Sequence, residues 1–106
     1  MFVKVYQYHI QKEKVDEFLE IQEKVSEIYG RYLDFHTVYL NSNVDATKWI
    51  EISRYKDEDE FHKSMDMINK EKEIQDLFKA FQCILVTDKS EIIEEDFIER
   101  KEKSSF

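Results

Sequence analysis

The chain has 106 residues, of which 42% are hydrophobic and 14% aromatic, and this is enough for one small domain with its own core. The formal charge of -8 at pH 7 disfavours nucleic acid and anionic membranes as partners, because both attract basic surfaces. No apolar run reaches the roughly 20 residues of a membrane span, and the first ten residues alternate instead of forming a signal-peptide core, so we expect a cytoplasmic protein.

Two different periodicities describe the first third of the chain. Residues 1–10 are rich in Val and Tyr and predict a strand that places Phe2, Lys4, Tyr6 and Tyr8 on one face. From Lys12 to Tyr32, apolar residues recur every three or four positions, which predicts a long amphipathic helix. The only glycine, Gly30, lies near the end of this helix, where we expect a left-handed closing residue.

A hairpin is predicted next. Residues 34–40 are again β-rich, and the polar cluster at 41–45 joins them to a second strand at 48–55. Alternation along this second strand points Ile50 and Ile52 to one face, and it points four other side chains to the opposite face: Trp49, Glu51, Ser53 and Tyr55.

The last third begins with a strong helix start at Asp57, which is followed by three more acidic residues and by Phe61. One helical stripe runs to Asn69, where we expect a break, and a second stripe ends at Phe81. We predict the fourth strand at residues 82–87. The acidic segment that follows, Ile92 to Ile98, is expected to lie on a surface, and residues 100–106 are expected to be disordered.

The order strand, helix, strand, strand, helix, strand predicts an α+β ferredoxin-like βαββαβ sandwich over residues 1–99. The helices cover one face of the sheet. The other face carries Ile50 and Ile52, and a single chain has nothing left to cover it, so we expect a homodimer in which two sheets meet and the segment from Ile92 to Ile98 reaches over the partner.

The run from Arg54 to Phe61, with an aromatic residue ending the strand, acidic residues after it and a Phe opening the helix, resembles the dimeric α/β-barrel superfamily. Within that superfamily, the chain is similar to the antibiotic-biosynthesis monooxygenase-like domains. The resemblance covers nearly the whole chain to about Thr87. It implies one of three kinds of protein: cofactor-independent monooxygenases of aromatic polyketides, haem-degrading enzymes, or proteins of no assigned activity.

The resemblance also implies where functional residues lie. The haem-degrading members carry Asn, Trp and His at the positions that Tyr6, Tyr55 and Met65 hold here, so haem degradation is disfavoured. The polyketide monooxygenases carry an Asn at the position of Glu51. We expect no cofactor.

A candidate site follows from the strand faces themselves. Glu51 and Tyr55 are the predicted catalytic residues, and Glu51 acts as a general base if burial raises the pKa of its carboxyl. The predicted ligand contacts are Tyr6, Tyr8, Trp49, Ser53 and Phe61. In the alternative interpretation the tyrosines fill the core and Glu51 pairs with a lysine such as Lys4.

Histidine and cysteine spacing points away from a metal site. His9, His36 and His62 have no second His or Cys at helical ligand spacing, so no metal is expected. Cys83, the only cysteine, is predicted to be a small buried hydrophobe. Two functions remain open: a small dimeric enzyme of the monooxygenase-like kind, and a non-catalytic ligand-binding or structural dimer of the same fold.

Overall fold

Four antiparallel strands and three α-helices build the protein, and the computed structural model describes all of residues 1–106. The sheet has the order β2-β3-β1-β4, which is the ferredoxin-like arrangement predicted from the element order. No helix combines the length and the apolar composition needed to cross a lipid bilayer. In chain order the elements are β1 (Phe2–His9), a 3₁₀ turn (Lys12–Lys14), α1 (Val15–Tyr29), β2 (Phe35–Asn41), β3 (Lys48–Tyr55), α2 (Glu58–Ile68), α3 (Lys72–Ile84) and β4 (Ile93–Ile98).

The predicted strand faces are confirmed. In β1 the even-numbered residues face the helices, and the register that pairs Tyr6 with Glu51 puts the odd-numbered residues of β3 on the same side. Two hydrophobic clusters fill the layer between sheet and helices. One contains Tyr8, Ile10, Phe18, Ile21, Trp49, Phe81, Ile84 and Leu85, and the other contains Phe2, Ile28, Leu33, Tyr55, Phe61 and Ile68.

The start of α2 and the break after it follow the sequence signals, whereas the conformation predicted at the end of α1 is not observed. The Asp57 carboxylate accepts a hydrogen bond of 2.7 Å from the Glu60 backbone N–H, which confirms the predicted cap of α2. The break at Asn69 separates α2 from α3, as expected. Gly30 closes α1 with a φ of -63°, however, so the left-handed conformation predicted for it was wrong.

The prediction of the fourth strand was wrong in position. Residues 82–84 belong to α3, and only Leu85 forms an isolated bridge, to Ile10. Phe81, Ile84 and Leu85 are all buried, so their spacing extends the apolar stripe of the helix. The strand β4 lies instead at Ile93–Ile98, and it pairs with β1 of the same chain. The segment expected to reach over a partner therefore completes the protein's own sheet.

Two charged contacts explain why an acidic segment forms this strand. The Nζ atom of Lys4 lies 2.6 Å from Glu94 Oε1 and 2.6 Å from Asp96 Oδ1, and the Lys4 side chain is buried. Burial lowers the pKa of Lys4, but its hydrogen bonds to Asp96 and Glu94 outweigh this effect, and the net pKa is raised. The acids of β4 therefore neutralise a lysine that points into the helix layer.

Cys83 is exposed, contrary to prediction. It lies in α3 between Phe81 and Ile84, which take the buried positions of that turn, so its own side chain points to solvent. Apolar character of the local sequence did not distinguish the two faces of this helix.

The sheet face opposite the helices is uncovered. Its exposed large apolar side chains come from both edge strands, Val38 and Leu40 on β2 and Ile93 and Phe97 on β4. Ile50 and Ile52 of β3 lie between them on the same face. This surface is called the open face below.

Candidate functional site

A cavity of about 650 Å³, called the large cavity below, lies between the sheet and the helices. Strands β1 and β3 form its floor, and α1 and α3 form most of its walls. Small-molecule sites have volumes of about 300 to 1,000 Å³ and combine apolar walls with a few polar groups. The lining fits this description: Tyr6, Tyr8, Ile21, Gln22, Val25, Tyr29, Glu51, Met65, Asn69, Ile74, Gln75, Leu77, Phe78, Lys79, Phe81, Gln82 and Ile92.

Glu51 is the one acidic side chain in this wall. It lies at the centre of the sheet, opposite Tyr6 on β1 and Tyr39 on β2. Its Oε1 atom accepts a hydrogen bond of 2.7 Å from the Tyr8 hydroxyl. Desolvation raises the pKa of Glu51, and the Tyr8 hydrogen bond opposes this effect only in part. The result is a carboxylate that is more basic than an ordinary glutamate and that faces a ligand-sized space.

Tyrosines surround Glu51. Burial is the main cause that raises the pKa of Tyr6, Tyr8 and Tyr29 far above the ordinary value of 10.0. Burial also raises the pKa of Tyr55 to about 12. These hydroxyls therefore stay protonated at neutral pH and serve as hydrogen-bond donors and acceptors, not as phenolate bases.

A second cavity of about 40 Å³, called the small cavity, lies on the β2 side of Glu51. Its lining is more polar than that of the large cavity, and the hydroxyls of Thr37 and Ser53 lie 2.8 Å apart within it. The two cavities share five residues: Tyr6, Gln22, Val25, Tyr29 and Glu51. Glu51 therefore borders both spaces.

The structure brings some of the predicted site residues together. Glu51, Tyr6 and Tyr8 line the large cavity, and Tyr55 and Ser53 line the small one.

Two further predicted ligand contacts line neither of these cavities. Trp49 packs in the core with its ring centroid 4.8 Å from that of Phe18, and its indole Nε1 is buried without a hydrogen-bond partner. Phe61 packs at 4.6 Å from Tyr55, in the other hydrophobic cluster. Both side chains therefore belong to the hydrophobic core and not to the cavity lining.

Pairing between Glu51 and Lys4 was the alternative to a functional Glu51, and it does not occur. Lys4 binds the two carboxylates of β4, and the hydrogen-bond partner of Glu51 is Tyr8. No group of three or more His, Cys, Asp or Glu side chains lies close enough together to hold a metal ion.

Two helix residues of the site were not predicted from the sequence. Tyr29 and Gln22 of α1 face Glu51 across both cavities, and Gln22 accepts a hydrogen bond of 3.1 Å from the Tyr39 hydroxyl. Tyr29 counted only as part of the apolar stripe. Gln22 is buried at a stripe position that an apolar residue usually fills, and this polar interruption was the available signal.

Comparison with known proteins rests on structure alone, since no protein-family model and no curated protein matches the sequence. An uncharacterized NIPSNAP domain protein from Burkholderia xenovorans superposes with a TM-score of 0.73 at 15% identity, over 99% of this chain and 100% of that one. SnoaB, a cofactor-independent oxygenase from Streptomyces nogalater, superposes with a TM-score of 0.71 at 12% identity, over 95% and 94%. This chain has their fold.

A protein described as an antibiotic biosynthesis monooxygenase gives a TM-score of 0.64 at 15% identity, and the match covers 93% of this chain and 100% of that one. The resemblance to monooxygenase-like domains that the sequence indicated is thus confirmed for the fold. Identities this low carry no activity from one protein to the other.

Proposed function

We propose that the protein is a homodimeric small-molecule-binding protein that uses Glu51 as a general base on an aromatic or otherwise planar substrate, without a cofactor. The observation that carries this proposal is the position of Glu51, a desolvated carboxylate that borders the large cavity and is held by Tyr8. A functional site explains why a desolvated acid, whose charge is costly there, lies among aromatic side chains. The shared fold of a cofactor-independent oxygenase supports oxidation as the reaction type.

The proposed chemical step is proton removal. The Glu51 carboxylate takes a proton from a phenolic O–H or an activated C–H group, and the electron pair of the broken bond stays on the substrate. Tyr6 is a hydrogen-bond donor on the same wall, where negative charge develops, whereas the Tyr8 hydroxyl donates to Glu51. Loss of a C–H proton leaves a carbanion, and loss of a phenolic proton leaves a phenolate with carbanion character on a ring carbon. This carbon gives two electrons to dioxygen, the second substrate, and forms a C–O bond. The resulting peroxide takes the proton back from Glu51, its O–O bond breaks, and water leaves with the remaining hydrogen of that carbon as a C=O group forms. Tyr55 borders the small cavity and not the large one, so we assign it a positioning role next to Glu51 and no contact with the substrate.

Dioxygen uptake tests this proposal. Purified protein is mixed with a panel of polycyclic phenols, after native mass spectrometry has shown whether any small molecule co-purifies. Glu51→Gln removes the base and keeps the side-chain shape, so we expect kcat to fall by about 10² to 10⁴. Glu23→Gln, an exposed site outside the cavity, is the matched control and keeps the wild-type rate. Equal rates for wild type and Glu51→Gln would reject Glu51 as the base.

A non-catalytic ligand-binding protein is the second candidate. It is supported by the hydrogen bond from Tyr8, which already occupies one oxygen of Glu51, and by the high pKa of the surrounding phenols. Ligand binding without substrate-dependent uptake of dioxygen, across the whole panel, favours this candidate over the enzyme.

The homodimer is proposed from the open face. Leu40 is 47% exposed there, and an apolar sheet surface of this kind is covered in stable proteins by a second layer. Light scattering at micromolar concentration should give twice the chain mass of 13.0 kDa. Leu40→Asp should shift the protein to monomer, whereas Leu19→Asp should not, since Leu19 is 46% exposed but lies on α1. A wild-type mass of one chain would refute the dimer.

A cytoplasmic location is also proposed. The single cysteine leaves no internal disulfide of the kind that stabilises small secreted domains. The formal charge of -8 supports a role on a small molecule and not on nucleic acid or an anionic membrane surface.

A further inference from the structure

The two charged side chains that line the large cavity differ in their access to solvent. Only two of its lining residues are charged, Glu51 and Lys79. Lys79 is solvent-exposed on α3, so water solvates its ammonium group. Glu51 is desolvated and lies on the floor of the cavity, against the sheet. A bound molecule therefore meets a negative or neutral carboxyl group inside, and it meets no buried cation.

The nearest lysine of the sheet does not reverse this sign. The Nζ atom of Lys4 lies 5.9 Å from the ring centroid of Tyr6, it is bound by Glu94 and Asp96, and Lys4 does not line the cavity. One positive charge there faces two negative charges. An anionic ligand would lose its hydration on entering the cavity and would meet only the solvated ammonium group of Lys79 and no buried counter-charge.

The walls suit a cation. Aromatic rings of Tyr6, Tyr8, Tyr29 and Phe81 line the same space, and the faces of aromatic rings attract ammonium groups. Glu51 has acceptor capacity to spare, since Tyr8 binds only Oε1 and no side chain of the protein donates to Oε2. Carboxylate and aromatic rings together make a site for a positively charged hydrogen-bond donor.

We propose that the large cavity binds an organic ammonium, a planar apolar molecule carrying a protonated amine that pairs with Glu51. This inference rests on the ligand-binding part of the proposed function and deepens the non-catalytic candidate, because a Glu51 carboxylate that is bound by Tyr8 and by an ammonium group is not free to remove a proton. Apolar side chains of α3 hold the planar part, and Glu51 Oε2 accepts a hydrogen bond from the ammonium group. A charge-assisted bond is roughly twice as strong as a neutral one, so an amine should bind about tenfold tighter than the matching alcohol.

Three isosteric probes test the proposal by titration calorimetry: 2-naphthylmethylammonium, 2-naphthylmethanol and 2-naphthoate. On the wild-type protein we expect the ammonium to bind tightest, the alcohol about tenfold more weakly and the carboxylate most weakly. Glu51→Gln should remove the advantage of the ammonium and leave the alcohol close to its wild-type affinity. Glu23→Gln changes the net charge equally without touching the cavity, and it should preserve the order.

The outcomes separate this inference from the function on which it rests. Alcohol binding with no preference for the ammonium, or a preference that survives in Glu51→Gln, overturns the ammonium assignment and leaves the cavity a ligand site. Failure of all three probes to bind overturns the proposed ligand-binding function as well. The wild-type comparison of the three probes decides the question on its own if Glu51→Gln does not fold.

Discussion

Replacing Glu51 by Gln should make the protein more stable near neutral pH, and the gain should depend on pH in a defined way. The folded-state pKa of Glu51 is raised because the carboxyl is desolvated, and the Tyr8 hydrogen bond offsets only part of this. An acid with a raised pKa binds its proton more tightly in the folded state than in the unfolded state. Ionised Glu51 therefore destabilises the fold once the pH exceeds the unfolded-state pKa.

The size of the effect follows from proton linkage. Wild type loses stability relative to Glu51→Gln from near pH 4.5, the ordinary pKa of a glutamate, up to the raised pKa of the folded state. Within that window the difference grows by at most about 1.4 kcal/mol per pH unit, and above it the difference is constant. At low pH the two proteins should differ little, because the Gln oxygen still accepts the Tyr8 hydroxyl at a net value of about 1 kcal/mol.

Urea unfolding followed by circular dichroism between pH 4 and 8, at one protein concentration, measures the difference. Other carboxyls titrate alike in both proteins, so subtraction isolates Glu51. Exposed Glu23→Gln should give a flat difference curve within about 0.5 kcal/mol. If the stability difference between wild type and Glu51→Gln does not change with pH, the pKa of Glu51 is not raised by desolvation. A difference of the opposite sign would place that pKa below the ordinary value.

Three further outcomes are expected. Lys4→Met leaves Glu94 and Asp96 facing each other without their counter-ion, and it should lower the free energy of unfolding by about 1 to 3 kcal/mol, because both carboxylates keep partial access to water. Lys63→Met on the surface should cost less than about 0.5 kcal/mol, and equal urea midpoints for the two variants would contradict a stabilising role of the Lys4 ion pairs. Asp57→Ala removes the cap of α2 and should cost about 1 kcal/mol, with Asp57→Asn restoring most of it. Haem mixed with the protein under reducing conditions should keep its Soret band, and loss of that band would overturn the exclusion of haem degradation.

Periodicity predicted the elements whose two faces meet different surroundings. Strand β3 has Ile50 on the open face and Ser53 on the helix side, and its alternation placed both residues correctly. Strand β4 was missed because the residues on its helix side, Glu94 and Asp96, are half-exposed acids, which form no apolar strand face. They are stable there because of Lys4, a residue 92 positions away from Asp96, and no local pattern contains that information.

The same limit applies to the site. Alternation placed Tyr6 and Tyr8 on one face of β1 and Glu51 on one face of β3, and the β1–β3 register brings these two faces to the same side of the sheet. Tyr29 was read as core, since a sequence does not reveal where helices and sheet leave space between them. Trp49 shares the face of Glu51 but packs against Phe18, so a common strand face did not imply a common cavity.

Pairing of β1 with β4 has a consequence for synthesis of the chain. The first strand is hydrogen-bonded on one side to β3 and on the other to β4, so one of its edges stays unpaired on the ribosome until residues 93–98 have emerged. Contacts of such long sequence separation slow folding, and an unpaired strand edge invites association with other chains. Nascent chains stalled before residue 93 should therefore depend on chaperones more than the finished protein does.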